Sequence, residues 1–322
     1  MAAGKAEKVA CLVDLLPNTA PRDRDKLLEF IETSRTEIQD THGLIWNELR
    51  ELVAHHREHQ EQDWALQEDV LIRIDNLYKA YTPTIASIKH RSLFEHEWEL
   101  RPEDLSGKKW SKNERTEYLN GVRISAFKEI YMEEGIDGIL KLAASLKTAG
   151  ALARAGANAD LHAHEIQQII HLLAAQEKSN LWHFASRYIL FKFLDLGSAW
   201  VKNTLKILER SIWIADARAN FYLSLPFSRE TWSLIEEERK EDQEQYWRTV
   251  NPHFHFDDNY DRLYAVEKLM QMRRFITLID NIPYEAENLP SATLISILAG
   301  ANDNPVDAGT PLSSNDVSKV FS

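Results

Sequence analysis

Leu225-Pro226-Phe227-Ser228-Arg229-Glu230-Thr231-Trp232-Ser233-Leu234-Ile235, running on to Tyr246-Trp247-Arg248, is the stretch that decides the fold. Pro226 ends whatever helix precedes it, because proline lacks a backbone donor and clashes with the turn before it. Ser228 suits the N-cap of the next helix, and Glu230 suits the positive end of its dipole. Trp232, Leu234, Ile235, Arg239, Tyr246 and Trp247 bracket a polar middle, which predicts one long helix with large rings anchoring both ends. A shorter echo, Leu289-Pro290-Ser291-Ala292-Thr293-Leu294-Ile295, follows about 64 positions later. Two proline-started, serine-capped helices at that separation fit stacked helical hairpins, whose units run about 30–47 residues.

The rest of the chain agrees. Only 11 glycines and 10 prolines punctuate 322 residues, and no alternating Val/Ile/Thr run is bounded by turn pairs. Long stripes of 3.6-residue period therefore predict an all-α fold of stacked antiparallel helical hairpins, an α-solenoid-like array in one piece or two sub-bundles. Residues 1–83 read as an N-terminal helical part. Within it, Asn18 or Thr19 is placed to cap a helix entered through Pro21, Gly43 marks a break, and Trp64-Ala65-Leu66 opens a further helix. Residues 84–110, with Pro102, Gly107 and mixed charge, read as an irregular connector. Ser111-Lys112-Asn113-Glu114 matches a capping box, so the array of residues 111–300 starts there, with Gly135 and Gly197 as stops. Residues 301–322 are polar, carry Pro305, Gly309 and Pro311, and read as a mobile tail. A stack that ends in such a tail reads as a segment of something longer.

The bulk numbers bound the function. A formal charge of −12 argues against nucleic acid as a partner, since broad phosphate-backbone contact needs a basic face to release counterions. A local basic groove stays open. One cysteine, Cys11, rules out a disulfide within the chain and suits a reducing, cytoplasmic setting, with the thiol expected to be inert and at least half buried. No apolar run is long enough to span a bilayer.

Several groupings could carry chemistry. His253-Phe254-His255-Phe256-Asp257-Asp258 offers imidazoles and a carboxylate of the kind that hold zinc, but a helix N-cap explains Asp257 or Asp258 as well. His55, His56 and His59, with His162, His164 and His171 as a similar cluster, have ligand-like spacing but not the His-Glu-x-x-His order of a zinc helix, and read as solvated faces. Thr148 to Asn158 is rich in small residues but lacks the Lys-Ser/Thr and preceding strand of a nucleotide loop, so it reads as close helix packing. Arg50 and His55 stand at the Arg-x4-His spacing of small all-helical HEPN ribonucleases, where such a pair polarises phosphate and moves a proton. Arg91 and His96 repeat that spacing. No catalytic, cofactor or metal residue is assigned; the ribonuclease reading is the alternative.

Leu49-Arg50-Glu51-Leu52-Val53, His56-Arg57, Asp63-Trp64-Ala65-Leu66 and Leu77-Tyr78, then Leu225-Pro226-Phe227, Glu230-Thr231-Trp232, Tyr246-Trp247-Arg248, Ala265-Val266 and Arg273-Arg274, carry a resemblance. It is to the helical-repeat region of large bacterial STAND-type NTPases and similar antiphage sensors. Gln67 stands where proline is expected after Trp-Ala-Leu. The resemblance implies a non-enzymatic scaffold or sensor that binds a protein or peptide and passes that binding to an effector domain. It implies no cofactor in this chain, since no Walker loop is present.

Overall fold

The computed structural model describes residues 2–38, 40, 43–95, 111–175, 178–207, 215–252, 258–282 and 288–303. Among them every regular element is helical, as the breaker-poor sequence predicts. In chain order these are α1 (Ala2–Leu15), α2 (Pro21–Ser34), α3 (Leu44–Glu58), α4 (Glu68–Ala80), α5 (Ala86–Lys89), α6 (Ser92–Glu95), α7 (Lys112–Ser145) and α8 (Gly150–Ala157). After them come α9 (Ala163–His171), α10 (Asn180–Ile207), α11 (Ala215–Leu223), α12 (Arg229–Glu236), α13 (Lys240–Thr249), α14 (Asn259–Gln271), α15 (Phe275–Asn281) and α16 (Ser291–Asn302). The chain divides into two compact units, Met1–Leu161 with Lys178–Phe184, and His162–Glu177 with Ala185–Ser322. The division therefore does not fall in the 84–110 connector.

In the first unit, α1 to α4 close around Val13, Leu28, Ile31, Ile45, Leu49, Val53, Leu71 and Ile74. The corner between α1 and α2 is held by Arg24, which donates to the carbonyls of Leu16 and Thr19. The residue in the cap position of α2 is Ala20, not Asn18 or Thr19, and Thr19 donates back to Leu15 O instead. Asp40 caps α3 from outside: its carboxylate accepts from the N–H groups of Leu44 and Trp46 at 2.8 and 3.1 Å. Between them Gly43 adopts φ +65°, and a Cβ there would meet Ile88 Cγ2 at 2.9 Å. Only glycine satisfies both the left-handed backbone and that approach.

Residues 84–95 correct the expectation of an irregular connector. They form α5 and α6, bolted to α7: Ser87 N and Oγ donate to Glu134, Lys89 and His90 both bond Glu129, and Arg123 donates to Leu93 O. Each helix has four residues, too few for a 3.6-residue period to register. Residues 96–110 lie outside the described set. The Ser111/Glu114 capping box forms as read, and Gly135 kinks α7 at φ +66°, ψ −167°, a conformation open essentially to glycine. The small residues of α8 do pack closely, with Gly156 beneath the Phe127 ring.

In the second unit, the decisive stretch is not one long helix. It breaks at Glu237–Arg239 into α12 and α13. Gln243 Nε2 donates to the carbonyls of both Glu236 and Glu238, and Asp242 accepts from Arg218 and Arg239, so side chains take over the bonds the corner gives up. Ser228 occupies the cap position of α12 without a side-chain cap bond, and Glu230 turns instead to Ser198 N, just past the Gly197 kink. In the echo, Pro290 rather than Ser291 sits at the cap of α16. That helix passes through Gly300, which faces Phe275, and ends at Asn302. The tail beyond Asp303 lies outside the described residues.

Candidate functional site

Among the described residues, the clefts on the first unit include two that gather residues singled out in the sequence. The larger, of about 770 Å3, runs between α1, the start of α3, α5, α6 and the last turns of α7. Arg91 fixes its far wall: Nε donates to Glu95 at 2.7 Å, Nη1 to Ser145 Oγ at 2.9 Å and Nη2 to Ser145 O at 2.7 Å. The guanidinium thus satisfies an orphan carbonyl at the end of α7 and clamps α6 to it. Leu44, Ile88 and Leu142 supply apolar lining, while Asn47, Ser92, Lys141 and Glu7 supply polar groups.

The smaller cleft, of about 310 Å3, is lined by Asp14, Glu48, Glu51, His55, His56 and Trp64, with Pro17 and Leu52. Trp64 does not open a helix, because α4 begins only at Glu68. The loop before α4 is folded back by Leu66 N donating to His56 Nδ1 at 3.0 Å. That bond lays the Trp64 indole, 50% exposed, across the C-terminal end of α3. It stacks on His55 at 5.1 Å and meets His56 and His59 at 5.4 and 5.5 Å. On the other wall the Asp14 and Glu48 carboxyls lie close enough to interact. Burial, then the charges of Asp14 and Glu51, push Glu48 up to about 7, against the opposing pull of Arg50. Near neutral pH Glu48 is therefore partly protonated.

The sequence-derived candidates separate. Arg50 is buried, bonded to Asn47 Oδ1 and Glu51 Oε1, and does not line the cleft onto which His55 opens. His55, His56 and His59 form an aromatic box around Trp64 rather than a solvated face. His162 and His164 stack at 5.8 Å, and His162 N donates to Glu165. Among the described residues no group of three His, Cys, Asp or Glu side chains is placed to hold a metal. His253, His255 and Asp257 lie outside the described set. Asp258 caps α14 by accepting from Tyr260 N at 2.9 Å. Cys11 is exposed on α1, contrary to the half-buried thiol expected. No described helix is long and apolar enough to cross a membrane.

The sequence missed Trp64 as a cleft residue, and Asp14 with Glu48, because they meet only through tertiary packing of α1 on α3. The adjacent imidazoles were the visible part of the signal. No protein family, curated protein or solved structure matches this chain. Fold and clefts together describe an all-α protein whose first unit carries clefts of about 770 and about 310 Å3.

Proposed function

We propose that this chain is a non-enzymatic helical recognition module that docks a basic segment of a protein or peptide partner. The observation behind the reading is the smaller cleft, where Asp14, Glu51 and the partly protonated Glu48 share the lining with a half-exposed indole. A guanidinium stacks on an indole face and forks onto carboxylates, so arginine is the side chain these walls fit best. The volume takes one or two side chains of an extended segment, not a folded domain. A net charge of −12 would steer such a partner at long range. In this reading the chain is a cytoplasmic scaffold or sensor segment, and docking is passed to an effector domain of the STAND-type kind that the helical pattern resembles.

A peptide library with randomised positions, panned against the purified chain, tests the proposal. Enrichment of arginine that disappears with Trp64→Ala is the expected result. Recovery of acidic or purely apolar sequences, or equal recovery by that variant, contradicts it. The HEPN-like alternative needs Arg50 and His55 to act on one phosphate, and Arg50 is committed to Asn47 and Glu51.

A further inference from the structure

We propose that the larger cleft of the first unit is a separate binding site for a small organic anion, an oxyanion head on a short apolar body. Three donors support the head. Lys141, on α7, is exposed and makes no ion pair among the described residues, whereas the other lining cation, Arg91, is committed to Glu95 and Ser145. Trp46 on α3 is 3% exposed and Ser92 on α6 is 8% exposed; Trp46 Nε1 and Ser92 Oγ are both buried and meet no hydrogen-bond partner among the described residues. Both residues line this cleft.

A buried donor with no acceptor is destabilising, and native structures carry few of them. The indole N–H is donor-only, so only an acceptor relieves it. An oxyanion supplies several acceptor lone pairs and the charge that Lys141 calls for, and bonds to it are the stronger, charge-assisted kind. Seating it against these donors needs side-chain adjustments of the size that binding ordinarily brings. Glu7, on α1, is the remaining lining carboxylate, and it keeps anions from its own side of the cleft.

The apolar body has its place on Leu44, Ile88 and Leu142, and about 770 Å3 lies within the range of small-molecule sites. The walls are pre-organised. Asp40 fixes the backbone of Trp46, Tyr78 stacks on its ring at 5.3 Å, and Arg91 and Glu134 hold the α5–α6 wall to α7. A pre-formed site loses less conformational freedom when a ligand enters.

Calorimetric titration of the intact chain with hexanoate, hexyl phosphate and 1-hexanol tests the proposal. Saturable binding of one or both anions, at least tenfold tighter than the alcohol, is expected. The preferred anion then separates a carboxylate ligand from a phosphate ester. Trp46→Phe keeps the stacking ring and removes the donor, and should weaken anion binding about tenfold; Ser92→Ala should act in the same direction. In 15N-labelled protein, the indole signal absent from W46F should move when the anion is added. Should W46F fail to fold, S92A carries the test. Equal affinity for hexanol, no binding of either anion, an unmoved indole signal, or unchanged affinity in folded variants each overturns the proposal.

Discussion

The indole rings of Trp232 and Trp247 lie 5.7 Å apart and tilted by 47°, although one continuous helix would separate them by about 22 Å. The corner at Glu237–Arg239 brings them together, and Phe227 and Tyr264 complete the cluster, with ring centroids 4.9 and 5.4 Å from Trp232. Arg229 lies over the Tyr264 ring at 4.3 Å, and the Tyr264 hydroxyl donates to Glu236. The stretch that decides the fold is thus a helical hairpin folded on its own aromatic residues. That arrangement places its stability in a few side chains.

Asp242 is one of them. It is 1% exposed and accepts from Arg218 at 2.9 Å and Arg239 at 3.0 Å. Removing one partner from a buried charge pair costs about 3–5 kcal/mol. Asp242→Ala should lower the unfolding free energy by about that amount in urea titrations and reduce the near-ultraviolet tryptophan signal. Arg239→Ala, at the exposed end of the same network, should cost much less. Equal effects of the two would show that burial is not what makes the pair matter.

Gly156 offers a second stability test. A Cβ at this position would lie 2.9 Å from Phe127 Cε2, and overpacking of this kind costs about 1–3 kcal/mol. Gly156→Ala should therefore destabilise, even though alanine is the better helix former by about 1 kcal/mol. Adding Phe127→Leu should recover part of the loss. A more stable G156A would mean that α8 can slide away from α7 without penalty.

Glu48 predicts a pH dependence. Its carboxyl is pushed up to about 7 from 4.5 by burial and by its acidic neighbours Asp14 and Glu51. Between those two values the folded chain binds a proton that the unfolded chain releases, so this group's contribution to stability falls as pH rises through the window. Glu48→Gln, which keeps the hydrogen-bond donor and cannot ionise, should show a flatter melting temperature between pH 5 and 8 and exceed the parent at pH 8. A parallel shift at every pH would remove Glu48 as the source of the slope.

Under the proposed reading the Arg-x4-His spacing is structural, because Arg50 is bonded to Asn47 and Glu51. Arg50 should matter to stability, and Arg50→Ala should weaken the first unit through lost bonds to Asn47 and Glu51. Single-stranded RNA incubated with the chain at low salt, with and without magnesium, should remain intact. Cleavage that vanishes with either Arg50→Ala or His55→Ala would restore the ribonuclease reading.

What the sequence made legible was local. The Ser111/Glu114 box, the Asp258 cap and the glycines at 43, 135 and 197 act within a few residues of themselves, and each appears where the pattern placed it. What it concealed depends on partners far along the chain. The α12–α13 corner rests on Gln243 and on a buried salt link to Arg218; a window of sequence shows only an uninterrupted run of helix formers. Trp64 read as a helix start because its hydrogen-bonded tether, Leu66 to His56, spans ten residues. Asp14 and Glu48 became a pair only when α1 packed on α3.

The most direct test of partner recognition is calorimetric titration of a blocked Arg-Gly-Arg-Gly peptide into the chain at pH 8, with the Lys-Gly-Lys-Gly peptide as comparison. Saturable binding of the arginine peptide is expected, tighter than the lysine peptide, lost in Trp64→Ala and weakened about tenfold at pH 6, where Glu48 is largely protonated. Binding that is absent at both pH values, or that persists unchanged in Trp64→Ala and Glu51→Gln, would contradict it.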